Sequence, residues 1–204
     1  MKRLALQVAR VVGLFAVLVA PMAAAQDQPV RVRGTVDRVE GDVYVVKART
    51  GAELKVKLPD NVVVTALVKA TLADVKQRSY VGIAAMPLTD GSQRALEVHI
   101  FPEAMRGTGD GHRGWDLQPS STMTNGNVEQ STASSDGQML TIKYKDGEKK
   151  ILVPAETPIV SYLPSDKGEL KAGAAIFIAA ATKQADGSLL APRVNVGRGT
   201  TPPM

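Results

Sequence analysis

The stretch from Val30 to Asp60, VRVRGTVDRVEGDVYVVKARTGAELKVKLPD, decides the fold. Val30, Val32, Gly34 and Val36 fall on one face, and Arg31, Arg33 and Thr35 on the other. A period of two marks a half-buried strand. Glu40-Gly41-Asp42 turns the chain into VYVVKA, where Tyr44, Val46 and Ala48 share the inner parity with Lys47 and Arg49 opposite. After the Thr50-Gly51 turn, Leu54, Val56 and Leu58 alternate with Glu53, Lys55 and Lys57 until Pro59-Asp60 stops the strand. Short strands joined by tight turns predict a meander.

Downstream, the β-branched run VVVT is followed by a relaxed segment in which Thr71 caps a single helical turn ending near Gln77. Two more strands follow, Tyr80 to Met86 and Arg94 to Phe101, joined by an Asp90-Gly91-Ser92 hairpin. The second strand places Leu96, Val98 and Ile100 inward and Glu97 and His99 outward, so His99 is expected at the surface.

The same order then recurs. Gly34-Thr35-Val36 answers to Gly126-Asn127-Val128, VYVVK at 43–47 to MLTIK at 139–143, Pro59 to Pro154, and Asp90-Gly91-Ser92 to Asp186-Gly187-Ser188, at offsets of 92 to 96 residues. Val98-His99-Ile100 becomes Val194-Asn195-Val196. Five or six short strands per unit leave one face and two edges bare unless the sheet curls closed. The expectation is therefore an all-β chain of two tandem, small, OB-like barrels of five to six strands. Its parts are repeat one over 26–101, an irregular glycine-rich connector over 102–125, repeat two over 126–197 and a disordered tail over 198–204. A lone domain of this size buries only about 60% of its unfolded surface, so each half leans on the other for stability.

Upstream, Lys2, Arg3 and Arg10, the apolar run VVGLFAVLVA at 11–20 and Ala23-Ala24-Ala25 have the layout of a secretory signal peptide over 1–25. Its apolar core is shorter than the about 20 residues of a bilayer span. Cleavage before Gln26 and a periplasmic or secreted address follow, with retention as an uncleaved anchor as the other reading. The segment carries three of the 25 lysines and arginines and none of the 20 acids, which leaves 22 basic against 20 acidic side chains beyond it. That balance argues against nucleic acid as a partner, because phosphate binding needs a concentrated positive field. With no cysteine, disulfides, thiol nucleophiles and thiolate ligands are excluded.

The paired repeats, each with an Asp-Gly or Thr-Gly turn, an acidic-apolar-Lys turn (Asp74-Val75-Lys76; Glu169-Leu170-Lys171) and a closing Asp-Gly-Ser hairpin, resemble a bacterial family of exported small-barrel domains of unknown function. Sequences of this look are sometimes labelled metal transporter permeases, a label that requires an apolar span, and none follows residue 25. The resemblance covers nearly the whole chain beyond the signal, implies fold rather than activity, and brings no catalytic residues.

Chemistry-bearing residues concentrate in the connector. Gly109-Asp-Gly-His-Arg-Gly114 spells a dinucleotide-binding string, but the sequence after it, Trp115 to Pro119, reads as extended where the fingerprint needs a helix, so no cofactor is expected. His112 with Asp110 and Asp116, joined by His99 in one arrangement, offers imidazole and carboxylate ligands for a divalent transition metal. Trp115 and Leu117 either dock on a barrel or offer a partner an apolar contact. Arg31/Arg33, Lys47/Arg49 and Lys55/Lys57, each at i and i+2, place positive charge on three neighbouring strands. The anionic partners of such a patch are envelope polymers or lipid headgroups. The interspersed Asp37, Glu40, Asp42, Glu53 and Asp60 favour an ordinary solvated face.

No nucleophile elbow, zinc-protease helix string or P-loop occurs. The functional expectation is a non-enzymatic exported binding or structural accessory protein of the bacterial envelope. The alternatives are a periplasmic divalent-metal-binding protein and an envelope hydrolase.

Overall fold

A computed structural model of the chain describes residues 29–202; the expected signal segment over 1–25 and the last two residues of the tail lie outside the described residues. The first unit contains β1 (Val30–Glu40), β2 (Val43–Ala48), β3 (Glu53–Lys57), β4 (Val63–Ala70), β5 (Tyr80–Pro87) and β6 (Gln93–Phe101). A short β7 (Gly111–Gly114) leads into β8 (Thr122–Ser134), β9 (Gly137–Tyr144), β10 (Gly147–Pro154), β11 (Ile159–Ser165), β12 (Ala175–Lys183), β13 (Leu189–Leu190) and β14 (Arg193–Gly197). The fold is all-β, as the alternation of apolar and polar residues requires, apart from single 3-10 turns such as Leu72–Asp74. In that turn Asp74 accepts hydrogen bonds from the Thr71 amide and hydroxyl at 2.8 and 2.7 Å, and the turn stops there rather than near Gln77.

The strands close into a five-stranded barrel, but not within one repeat. β1 pairs β2, β2 pairs β3, β3 pairs β13, β13 pairs β12, and β12 returns to β1. Three of these strands come from the first unit and two from the second. The pairings of β5, β6, β10, β9 and β8 close a second ring with the opposite mixture. Each unit thus lends its last strands to the other's first three. Between the rings, β4 and β11 pair antiparallel, flanked in parallel by β14 and β6.

The expected boundaries therefore dissolve. A tandem of self-closed barrels would keep ladders within 26–101 and 126–197, whereas both rings span the two ranges. Nor is 102–125 merely an irregular connector, since β7 pairs β8 and β8 begins at Thr122. The described part of the tail is packed: the Arg198 amide donates to Leu67 O at 2.9 Å, and buried Pro202 accepts from the Arg49 guanidinium at 2.6 Å.

Each ring encloses its own core. Val32, Val36, Val46 and Val56 pack with Ile176 and Ile178 in one, and Val81, Ile83 and Val98 with Leu140, Ile142 and Ile151 in the other. Branched aliphatics fill these narrow interiors, as the low aromatic content anticipates. A smaller cluster of Ala84, Met123 and Phe177, with Trp115 and Leu117 against it, joins strands of different rings.

Candidate functional site

The proposed metal ligands are drawn apart by separate duties. Asp110 accepts from the Lys145 amide at 2.8 Å and from the Tyr80 hydroxyl at 3.3 Å. His112, on β7, shares a 2.8 Å hydrogen bond between Nδ1 and the Thr124 hydroxyl and stacks near Tyr144. Asp116 binds Arg33 at 2.7 Å and Arg31 at 3.4 Å, and the Arg33 hydrogen bond holds its carboxyl below the usual range. Among the described residues no three His, Asp or Glu side chains converge on a metal position. In the glycine string Gly109 takes φ 59° in the turn before β7 and Gly111 takes φ 128° as the first residue of that strand, so the string leads into a strand rather than a helix.

Trp115 and Leu117 dock. Both pack on the cluster between the rings, and the Arg31 and Arg113 guanidinium carbons lie 4.0 and 5.7 Å from the Trp115 ring centre, within cation–π range. The basic patch is broken up by internal partners. Arg31 and Arg33 serve the connector, Arg49 ties down the tail, and Lys57 pairs with Asp186 at 2.8 Å. Lys47 and Lys55 remain on the exposed face that parity assigned to them.

The structure gathers a different set of residues. A cavity of about 770 Å³ opens between the rings, with floor strands β5, β6 and β8 on one side and β12 and the central ladder on the other. At its floor Gly82 pairs with His99 on one neighbouring strand and Asn125 on the other. A Cβ at Gly82 would lie 2.9 Å from Asn125 Oδ1 and 3.0 Å from the Phe101 ring, so the absent side chain makes the space. At the matching place in the other ring Phe177 pairs with Asn195 and Arg33. Where the first unit has glycine the second has a buried phenylalanine, so the cavity meets a bare strand on one wall and the Phe177 ring on the other.

Parity assigned Glu97 and His99 to the outer face of β6, and they do lie opposite core residue Val98. That outer face is not solvent, because the other ring and β11 cover it; Glu97 is 1% and His99 0% exposed. His99 Nδ1 shares a 2.9 Å hydrogen bond with the Tyr162 hydroxyl on β11. His99 Nε2 stands 3.7 Å from Glu97 Oε1, and both atoms lack a hydrogen-bond partner, as does Asn125 Oδ1. Burial raises the Glu97 carboxyl to about 8 against the opposing pull of Arg33 and Arg49, and burial lowers His99 to about 3. At neutral pH both are uncharged, so their contact is not an ion pair. The site is an apolar chamber with a neutral hydrogen-bonding floor.

Sequence reasoning missed Gly82, Asn125, Tyr162 and Phe177. The signal that could have found them lies in the repeat comparison, where His99 faces Asn195 and a glycine faces an aromatic. No helix among the described residues is long and apolar enough to cross a membrane. Comparison with family models, with curated proteins and with solved structures finds no match to this chain.

Proposed function

We propose that this chain is an exported binding protein of the bacterial envelope, and that its ligand is a small, mostly apolar molecule held between the two rings. One observation carries the reading: an apolar chamber of about 770 Å³ stands over Gly82, with His99, Asn125 and Tyr162 in its wall. That volume lies within the roughly 300–1,000 Å³ of small-molecule sites, which combine apolar walls with a few polar groups. Buried polar atoms without partners are rare, and a bound molecule is one way to satisfy them. Export rests on the signal-like first 25 residues.

Native mass spectrometry of the protein purified from its own envelope fraction tests the reading. A retained small molecule is expected, and Gly82→Phe, which copies Phe177, is expected to lose it while remaining folded. Identical bare spectra for both proteins, together with no ligand-induced rise in melting temperature for either, would sink the idea.

A further inference from the structure

The charge around the chamber is one-sided. Its lining contains Arg113 and Arg193 but no Asp or Glu. Arg113 is held in place by its hydrogen bond to Gly109 O at 2.8 Å and by the face of Trp115, and neither contact neutralises it. Arg193, at the start of β14, is exposed, and neither arginine has a carboxylate partner among the described residues. Most other arginines do have one: Arg31 and Arg33 share Asp116, Arg94 pairs with Asp136, Arg106 with Glu103 and Arg198 with Glu169. Arg113 and Arg193 thus stand without a carboxylate where the apolar wall opens.

Resting on the reading of the chamber as a ligand site, we infer that its ligand is an amphipathic anion, with an apolar body between Phe101, Met123 and Phe177 and an acidic group at Arg113. Guanidinium groups bind carboxylates and phosphates through paired N–H donors and tolerate an adjacent aromatic face. An apolar wall strengthens that attraction by reducing the water around it. Partial loss of water and the nearby Arg31 charge already disfavour the Arg113 cation, and attraction to a bound anion opposes both effects.

The test uses three twelve-carbon probes at submicellar concentration, dodecanoate, dodecyl phosphate and dodecanol, titrated by calorimetry into the folded protein and into Arg113→Gln. At least one anion is expected to bind the natural protein ten times or more tighter than the alcohol, with the better anion identifying the acidic group. Arg113→Gln is expected to remove that advantage, bringing anion affinity down to that of dodecanol. Equal binding of all three by the natural protein overturns the anion and leaves the chamber standing. No binding by any of them overturns both. An anion preference that survives Arg113→Gln overturns the assignment to Arg113.

Discussion

Leu67 and Tyr162 are the same position of the duplicated unit, and they pair directly with each other across the β4–β11 ladder. The ladder is therefore the line about which one unit rotates onto the other. Both residues are buried in one cluster, with Phe101 and Met105 against it. Because rings on both sides of this line take strands from both units, a single unit has no complete barrel. Fragments 29–107 and 108–202 are each expected to fail to melt cooperatively as monomers, and an equimolar mixture is expected to regain the circular dichroism and melting transition of the intact chain. A fragment that folds alone as a monomer would contradict the strand exchange.

The uncharged Glu97 and His99 set the pH range in which this region is most stable. Glu97 has a folded value of about 8 against an ordinary 4.5, so the folded state holds a proton that the unfolded state has lost, and stability falls as pH rises from about 4.5 to 8. His99 has a folded value of about 3 against 6.5, so the unfolded state binds the extra proton, and stability falls as pH drops from about 6.5 to 3. Between 4.5 and 6.5 the two slopes oppose each other and cancel. Glu97→Gln is expected to flatten the alkaline side, gaining on the order of 5 kcal/mol at pH 9 relative to its effect at pH 4. His99→Asn, the residue of the other unit, is expected to flatten the acid side. Urea titrations across pH 3–9 read both, and unchanged slopes would refute the assignment.

Gly34 and Gly126 hold equivalent places in β1 and β8, and each lies against a carbonyl of the next strand, Lys47 O and Lys143 O. A Cβ at either would fall inside permitted contact with main chain, which cannot swing away as a side chain can. Gly34→Ala and Gly126→Ala should each cost about 2–3 kcal/mol. Gly114→Ala, with nothing within 4 Å of its Cβ, should change stability by less than about 0.5 kcal/mol. Chemical denaturation midpoints compare the three directly.

Trp115 is the single tryptophan, which makes its docking observable. Folded protein should emit at shorter wavelength than unfolded protein and resist full quenching by iodide. Red-shifted, fully quenchable emission from the folded chain would mean that the ring is free. Trp115→Ala is expected to cost about 2–3 kcal/mol through lost packing. Asp116→Asn removes only half-exposed ion pairs and is expected to cost less than about 1 kcal/mol.

Alternation along VRVRGTV and ELKVK was enough to read strands, closure and core residues such as Val32, Val36 and Val56. The duplication was legible too, because glycines and Asp-Gly-Ser turns recur at nearly fixed spacing. Which unit's strands close which ring was not, since β1 can meet β5 or the equivalent β12 with the same parity and similar residues. That ambiguity also hid the chamber. Parity placed Glu97 and His99 on the correct face of β6, but only the strand exchange puts the other ring over that face. The connector attracted attention because histidine and tryptophan are scarce here, and Trp115 does line the chamber while His112 hydrogen-bonds to Thr124 outside its wall.

Strand exchange about a central ladder is the form a homodimer takes when its two subunits trade segments, and joining such subunits end to end yields one chain with both copies of every position. In a homodimer both walls of the chamber would carry the same residue at the Gly82 position. Once joined, the copies are free to differ: Phe177 supplies a firm aromatic wall, while Gly82 leaves room on the facing wall of the same chamber. Fusion thereby separates two demands that a symmetric assembly must satisfy with the same side chain, namely a solid support and a place for a guest.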